Sequence, residues 1–169
     1  PHNVMEIGAF NGVGTKTLAE AFPEKTIYVI DPFIDDGCTT HITGVEKGGP
    51  IESQYENFIR NTRNYANVAL FKQTSADFAK DRKEPDDGLV KALNIGWAII
   101  DGAHDYENVT NDYELAMTMI GDKPNCGIVF DDLNLEPVAL AYAGFLYKYE
   151  DRISRIGEVA CNSVLVEIK

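Results

Sequence analysis

The sequence predicts an α/β fold: a Rossmann-like, doubly wound sheet of seven strands, mostly parallel, that ends in a C-terminal antiparallel β-hairpin. One observation is that short apolar runs alternate with stretches of helical periodicity, as in parallel strands joined by crossover helices. Another is that two β-type runs close the chain with only Ala160, Cys161 and Asn162 between them. Because so short a connection leaves no room for a crossover helix, these two strands are predicted to pair antiparallel.

Five short apolar runs are the predicted parallel strands. In chain order they are Val4–Ile7, Thr26–Ile30, Val68–Lys72, Gly96–Ile100 and Gly127–Phe130, and the hairpin strands are Arg152–Val159 and Ser163–Lys169. Two intervening segments repeat apolar or small residues every three or four positions, which predicts one buried helical face in each. These faces are Tyr55, Phe58, Ile59, Thr62 and Tyr65, followed by Val109, Tyr113, Ala116, Met117 and Ile120.

Chain length bounds the number of domains. A chain of 169 residues is long enough for one core, and no linker or repeat divides it, so residues 1–169 are predicted to form a single domain. The chain starts at Pro1 and reaches an apolar strand by Val4, which leaves open that N-terminal elements precede it. The segment Pro32–Pro50 is rich in Gly, Asp and Thr and is long enough for a binding loop or lid. His41 lies in it, either as a lid residue or simply at the surface.

Charge and cysteine content exclude several classes of partner. The sequence has 15 Lys and Arg against 27 Asp and Glu, and this net charge of −12 would repel a phosphate backbone or an anionic membrane. No apolar run approaches the ~18 residues that span a bilayer. Cys38, Cys126 and Cys161 are odd in number and lack a CxxC pair, so neither disulfides nor a zinc site is predicted. We therefore expect a cytoplasmic protein with a small-molecule partner and without nucleic acid or membrane, and leave a homo-oligomer open.

A glycine-rich loop follows the first strand. Its glycines are Gly8, Gly12 and Gly14, with Glu6 before them and Ala9, Phe10 and Asn11 inside the loop. Glycines at a strand-to-helix turn allow a tight turn and close approach of a ligand to the backbone. A dinucleotide-binding loop would place a glycine where Phe10 stands, so the spacing disfavours a pyrophosphate ligand.

Two acidic residues follow the next two strands. Asp31 ends the second strand, where a carboxylate can accept hydrogen bonds from both hydroxyls of a ribose. Asp77 follows the third strand and could accept from an adenine amino group, and the adjacent Phe33 and Ala76 are predicted to belong to the same site. Each acid also has a structural alternative, since Asp31 could form a turn before Pro32 and Asp77 could cap a helix.

Taken together, this pattern resembles the class I S-adenosylmethionine-dependent methyltransferases across essentially the whole chain. Their pattern of an acidic residue, Gly-x3-Gly-x-Gly and an acid ending strand two is matched by Glu6, Gly8, Gly12, Gly14 and Asp31. The resemblance implies that the loop holds the methionine part of S-adenosylmethionine and that Asp31 holds its ribose.

Three carboxylates stand at the ends of the fourth and fifth strands: Asp101, Asp131 and Asp132. Because adjacent parallel strands end at the same edge of a sheet, these side chains are expected to converge and to repel one another without a cation. Carboxylate oxygens suit Mg²⁺ or another hard divalent cation. The three are therefore predicted metal ligands, and Asp101 is also predicted to contact the cofactor and to act in catalysis.

His104 lies three residues beyond Asp101, and its neutral imidazole could remove a proton from an acceptor hydroxyl. The alternative is a packing or capping histidine. Asp105 is the predicted cap of the helix that follows. This Asp-x-x-His with paired acids is similar to macrocin-type O-methyltransferases and the cephalosporin hydroxylase group. In the related catechol and caffeoyl-CoA enzymes, Asn stands where this sequence has Asp132.

The leading hypothesis is therefore transfer of a methyl group from S-adenosylmethionine to a hydroxyl of a small molecule, assisted by a divalent metal such as Mg²⁺. One alternative is a non-catalytic module that binds the nucleoside. Another is a nicotinamide-dependent dehydrogenase, which the loop spacing and the terminal hairpin disfavour.

Overall fold

The structure is a computed structural model that describes residues 2–34, 51–80, 88–160 and 162–169. Its strands are β1 (Asn3–Ile7), β2 (Ile27–Ile30), β3 (Val68–Phe71), β4 (Ile95–Ile100), β5 (Cys126–Phe130), β6 (Ile153–Ala160) and β7 (Ser163–Ile168). Its helices are α1 (Val13–Ala21), α2 (Ile51–Thr62), α3 (Ser75–Lys80), α4 (Gly88–Leu93), α5 (Tyr106–Ile120) and α6 (Glu136–Lys148). A 3-10 turn, Glu150–Arg152, joins α6 to β6. Most of the segment 32–50, with His41, and the thiols Cys38 and Cys161 lie outside the described residues.

The strands of the described residues form one seven-stranded sheet in the order β3-β2-β1-β4-β5-β7-β6. The first five strands pair in parallel. β7 pairs antiparallel with both β5 and β6, which confirms the predicted terminal hairpin. The described part of the chain contains no helix long and apolar enough to cross a membrane.

Side chains that alternate along β1 separate two layers of core. Met5 and Ile7 pack in the layer that α5 and α6 cover, and Val4 packs in the opposite layer with Phe58 of α2. The predicted face of α5 is confirmed, since its five residues are all buried. The predicted face of α2 is wrong at Ile59, which is 41% exposed because it follows the buried Phe58 by about 100° around the helix.

The topology creates a crevice at one edge of the sheet. In the sheet, β2 and β3 lie on one side of β1, and β4 and β5 lie on the other. The loops that follow β1 and β4 therefore leave the sheet toward opposite faces, and ligands of open α/β sheets bind where such loops diverge.

Candidate functional site

A cavity of about 450 Å³ lies at the carboxyl ends of the parallel strands, a volume typical of small-molecule sites. Its lining includes the loop after β1, the end of β2, the start of α3 and the loop between β4 and α5. Six polar residues are buried among the described residues, and four of them, Glu6, Asp31, Ser75 and Asp112, line this cavity. Burial of polar groups is thus concentrated at one place in the fold.

The glycine loop contacts both the cavity and the core. Gly8 has a φ of 86°, and a Cβ there would lie 2.1 Å from the backbone oxygen of Asp101. Only glycine permits this approach between the ends of β1 and β4. Gly12 does not line the cavity; it precedes α1 with a φ of 78° and packs closely against Phe58. Gly14 lines the cavity beside Glu6.

Asp31 links the glycine loop to the end of β2 through hydrogen bonds from the backbone. One carboxylate oxygen accepts hydrogen bonds from the backbone N–H groups of Ala9, at 2.7 Å, and Phe10, at 3.0 Å. The other accepts from the N–H of Phe33 at 2.6 Å. Three of about four acceptor positions are therefore engaged by backbone donors. The carboxylate lines the cavity and also shapes the loop, whereas the Phe33 ring is buried in the core and does not line the cavity.

Glu6 is a buried acid beneath the glycine loop. Its carboxylate accepts a 2.5 Å hydrogen bond from the hydroxyl of Thr15. Burial raises the pKa of Glu6 to about 7; the Thr15 hydrogen bond opposes the rise, and the charges of Asp101 and Asp31 add to it. This side chain can therefore gain or lose a proton near neutral pH.

Asp77, which was predicted to contact the adenine, and Ala76, which was predicted for the same cofactor site, do not line the cavity. The Asp77 carboxylate accepts from the Lys80 ammonium and the Thr74 hydroxyl, both at 2.8 Å, and these bonds lower its pKa. Its backbone N–H donates to the same hydroxyl. This is the geometry of the helix-capping alternative, and Thr74 and Ser75 line the cavity instead.

Asp101, His104 and Asp132 form a cluster at the mouth of the cavity, each offering one ligand atom within 4.8 Å of the others. The His104 Nε2 lies 2.9 Å from a carboxylate oxygen of Asp132. Asp101 is reached by water, yet the surrounding cavity wall desolvates it and raises its pKa to about 7, with further contributions from the charges of Asp131 and Asp132. The carboxylates of Asp101 and Asp132 are oxygen ligands that fit a hard divalent cation, and the His104 imidazole lies beside them.

Asp131 differs from its prediction as a metal ligand. Its carboxylate turns toward the start of β7, where one oxygen accepts from the Ser163 hydroxyl at 2.7 Å and from the Asp132 N–H at 2.8 Å. It does not line the cavity or join the cluster. Asp132 has a positive φ of 56°, and its carboxylate contacts His104. The third residue of the cluster is His104, and Asp131 is not part of it.

Asp112 and Ser75 are cavity residues that the sequence analysis did not identify. Asp112 lies in α5 and is 2% exposed, and one of its oxygens accepts a hydrogen bond from the Ser75 hydroxyl. Burial raises the pKa of Asp112 to about 7; the Ser75 bond opposes the rise and the Asp105 charge adds to it. The sequence signal that could have identified Asp112 is an acidic residue within the apolar face of α5, between Val109 and Tyr113. The predicted cap at Asp105 is confirmed by its bond from the Asn108 N–H.

Several solved structures share this fold. The O-methyltransferase NovP is 17% identical with a TM-score of 0.63, over 99% of this chain and 72% of NovP. The calicheamicin methyltransferase CalS11 is 15% identical with a TM-score of 0.64, over 99% of this chain and 72% of CalS11. MycE, a methyltransferase of mycinamycin biosynthesis solved with Mg and SAH, is 15% identical with a TM-score of 0.61, over 99% of this chain but 45% of MycE. At such identities the likeness shows the fold.

The sequence itself matches one protein family. No curated protein sequence matches the chain. A profile of the family described as "Methyltransferase domain" matches residues 5–133, which contain the glycine loop, Asp31, Asp112 and the cluster at the cavity mouth. These residues make up more than half of the chain, and the match confirms the resemblance to class I S-adenosylmethionine-dependent enzymes. The chain belongs to the methyltransferase domain family.

Proposed function

We propose that this protein binds S-adenosylmethionine in the cavity and transfers its methyl group to a hydroxyl of a small molecule, assisted by a divalent cation. The observation that carries the proposal is the position of the acid and histidine cluster in the same cavity as the family's cofactor loop. A module that only binds a nucleoside has no use for a base and cation ligands at that place. MycE, of the same fold, was solved with Mg and SAH.

The charge of the cavity favours a cationic cofactor. Five carboxylates line it, namely Glu6, Asp31, Asp101, Asp112 and Asp132, and none of the described lining residues is Lys or Arg. S-adenosylmethionine carries a sulfonium and an ammonium group, so it meets attractive charge on several sides once Glu6, Asp101 and Asp112, whose pKa values are about 7, are also ionised. The pyrophosphate of a nicotinamide dinucleotide would meet repulsion, which argues against the dehydrogenase alternative.

Asp101 and Asp132 would hold the cation, and it would lower the pKa of the acceptor hydroxyl and orient it. We assign His104 as the general base. Its Nε2 lies 2.9 Å from the Asp132 carboxylate and so carries the proton of the neutral ring. The lone pair of Nδ1 would therefore take the acceptor proton, and Asp132 would stabilise the resulting imidazolium. The acceptor oxygen then forms the new C–O bond while the electron pair of the methyl C–S bond passes to sulfur. The products are the methyl ether and S-adenosylhomocysteine.

Calorimetry tests the cofactor first. The protein should bind S-adenosylhomocysteine and should not bind NAD at the same concentration. Incubation with S-adenosylmethionine, Mg²⁺ and a panel of hydroxylated small molecules then separates an enzyme from a binding module, because only the enzyme forms a methylated product. Failure to bind S-adenosylhomocysteine would refute the proposed function. A cytoplasmic location, a homo-oligomer and the absence of a nucleic-acid partner stay predictions.

A further inference from the structure

We propose that the outer face of α6 is a dimerisation surface, on which two copies of this chain pack with their α6 helices antiparallel. The face consists of Glu136, Leu140, Ala143 and Tyr147, and we call it the α6 stripe. None of these four residues lines the cavity, so the inference does not depend on the proposed function. It concerns a surface whose apolar character methyl transfer does not explain.

The α6 stripe is apolar although it faces solvent. Leu140 is 55% exposed and Tyr147 is 85% exposed, and Ala143 between them is also exposed. Apart from its first and last residues, α6 contains no charged side chain. The opposite face of the helix is buried in the core, namely Val138, Ala141 and Phe145. Because a helix that is hydrophobic on all sides is typically buried on all sides, the stripe has the composition of a covered surface.

The neighbouring helix α5 lacks such a surface. Beyond Tyr106 at its start, the exposed residues of α5 are Glu107, Asn108 and Thr118, which are all polar. The two helices pack against each other and contribute to the same core cluster. An apolar outer surface is therefore particular to α6 and is not a general property of this helical layer.

The spacing of the α6 stripe suits packing against a second helix. Its members follow one another at intervals of four, three and four residues, which is the spacing of a seam between two packed helices. At about 100° per residue, all four lie within about 60° of one another around the helix axis. The stripe is thus one narrow, continuous seam along the whole of α6.

The stripe complements a second copy of itself in size. Leu140 and Ala143 stand equally far from the centre of the stripe, and so do Glu136 and Tyr147. In a two-fold antiparallel pair, each residue meets the one at the same distance on the other side of the centre. The large Leu140 side chain then faces the small Ala143 of the second copy, on both sides of the axis.

The stripe also complements a second copy in polarity. Within the part of the chain that the structure describes, neither the Glu136 carboxylate nor the Tyr147 hydroxyl has a hydrogen-bond partner. In the antiparallel pair, the hydroxyl of one copy can donate to the carboxylate of the other. The first turn of α6 carries Glu136 and the last carries Lys148, so antiparallel packing also brings ends of opposite charge together. Parallel packing would place Glu136 beside its own copy, which disfavours that arrangement.

The size of the surface predicts a weak dimer. α6 has 13 residues and is therefore about 20 Å long. One face of such a helix covers less than the area of about 800 Å² per partner that is usual in stable complexes. Each chain also carries a net charge of −12, so repulsion opposes association and added salt should tighten the dimer. We therefore expect a reversible dimer that dissociates on dilution.

Sedimentation equilibrium from micromolar to near-millimolar protein concentration tests the proposal. With rising concentration, the wild type should change from the monomer mass of 18.7 kDa to twice that mass, and a monomer throughout would overturn the proposal. Leu140→Lys and Ala143→Glu each place a charge in the apolar seam, so each should raise the dissociation constant roughly 10-fold or more. Both positions are exposed in the single chain, so both variants should fold, which melting curves check. Tyr147→Phe removes only the hydroxyl and should weaken the dimer several-fold.

Mixing the two charged variants tests the antiparallel register. In the mixed pair, the lysine introduced at position 140 of one copy faces the glutamate introduced at position 143 of the other, and the second half of the seam is wild type. An equimolar mixture should therefore form a heterodimer, seen by native mass spectrometry, at concentrations where each variant alone is monomeric. Absence of the heterodimer would overturn the antiparallel arrangement.

The matched control is Ile156→Lys, which adds the same charge at another exposed apolar residue, on the edge strand β6. Ile156 is 50% exposed, close to the value for Leu140, and its replacement should leave the dissociation constant unchanged. Loss of the dimer in Ile156→Lys together with an intact dimer in Leu140→Lys would place the interface on the sheet edge and overturn the assignment to α6.

Discussion

Glu6→Gln should make the protein more stable at alkaline pH than the wild type. Glu6 is 5% exposed and its pKa rises from 4.5 to about 7 on folding, chiefly because burial disfavours the charged form. The folded state therefore holds a proton in a pH range where the unfolded state has released it. The contribution of Glu6 to stability is full below pH 4.5 and is lost as pH rises through about 7.

The magnitude follows from the same two pKa values. At about 1.4 kcal/mol per pH unit, a rise from 4.5 to about 7 corresponds to a loss of roughly 3 kcal/mol in the free energy of unfolding between acid and alkaline pH. The Gln side chain keeps an oxygen acceptor for the Thr15 hydroxyl and cannot ionise. The difference in stability between variant and wild type should therefore grow by about that amount from pH 5 to pH 8.

Urea unfolding from pH 5 to pH 9, followed by the fluorescence of Trp97, the single tryptophan of the sequence, measures this difference. Subtracting the two curves removes the titration of Asp112, which both proteins share; the part of the Asp101 titration that depends on the charge of Glu6 stays in the difference. Thr15→Val is the matched variant: it removes the hydrogen bond that lowers the pKa of Glu6, so its loss of stability should occur at higher pH. Parallel curves for the wild type and Glu6→Gln would refute the assignment of a raised pKa to Glu6.

Four further changes test the site. Gly8→Ala places a Cβ 2.1 Å from the backbone oxygen that ends β4, so melting temperature should fall and S-adenosylhomocysteine binding should be lost; wild-type binding would contradict the role of the loop. Asp31→Ala should weaken that binding by ~1–3 kcal/mol in calorimetry, and an unchanged affinity removes Asp31 from the site. His104→Gln should lower turnover roughly 10²–10⁴-fold and leave cofactor affinity nearly intact, whereas near-full turnover from pH 6 to pH 9 would exclude a general base. Asp132→Asn should abolish the stabilisation of the protein by Mg²⁺, and Asp131→Asn should retain it; the reverse pattern would restore Asp131 as the ligand.

The fold could be predicted from the sequence because its strands and connections have local signals. The runs at Val68 and Gly127 are short, apolar and bounded by polar residues, which distinguishes buried strands from helices. The length of a connection separates a hairpin from a crossover, so the antiparallel pairing of β6 and β7 followed from the residues between them. The exposed Ile59 shows where such reasoning is less accurate, since apolar spacing marks a stripe wider than the face that contacts the sheet.

Only part of the site could be predicted, because side-chain direction depends on contacts distant in the chain. Spacing placed Asp131 and Asp132 at a strand end, but it could not show that the Asp131 carboxylate bonds to Ser163 and that Asp132 contacts His104. The partner of Asp112 is Ser75, 37 positions earlier, and no local pattern connects them. Local interactions hold Asp77: its carboxylate accepts from Thr74 and Lys80, and its N–H donates to the Thr74 hydroxyl at the start of α3. Contact of Asp77 with the cofactor stays a prediction.

Two kinds of locally unfavourable feature also occur at the cavity, namely left-handed backbone at non-glycine residues and buried acidic side chains. Among the described residues, five non-glycine residues have a positive φ. Phe10 and Asp132 line the cavity, whereas Asn94 and Asn125 precede β4 and β5 at the opposite edge of the sheet. The buried acids Glu6 and Asp112 are found at the same edge of the sheet, although each lowers stability above neutral pH. Strained backbone and buried charge persist in proteins where a ligand makes use of them. The buried acids, more than the strained backbone, therefore mark this cavity on physical grounds that do not depend on the family match.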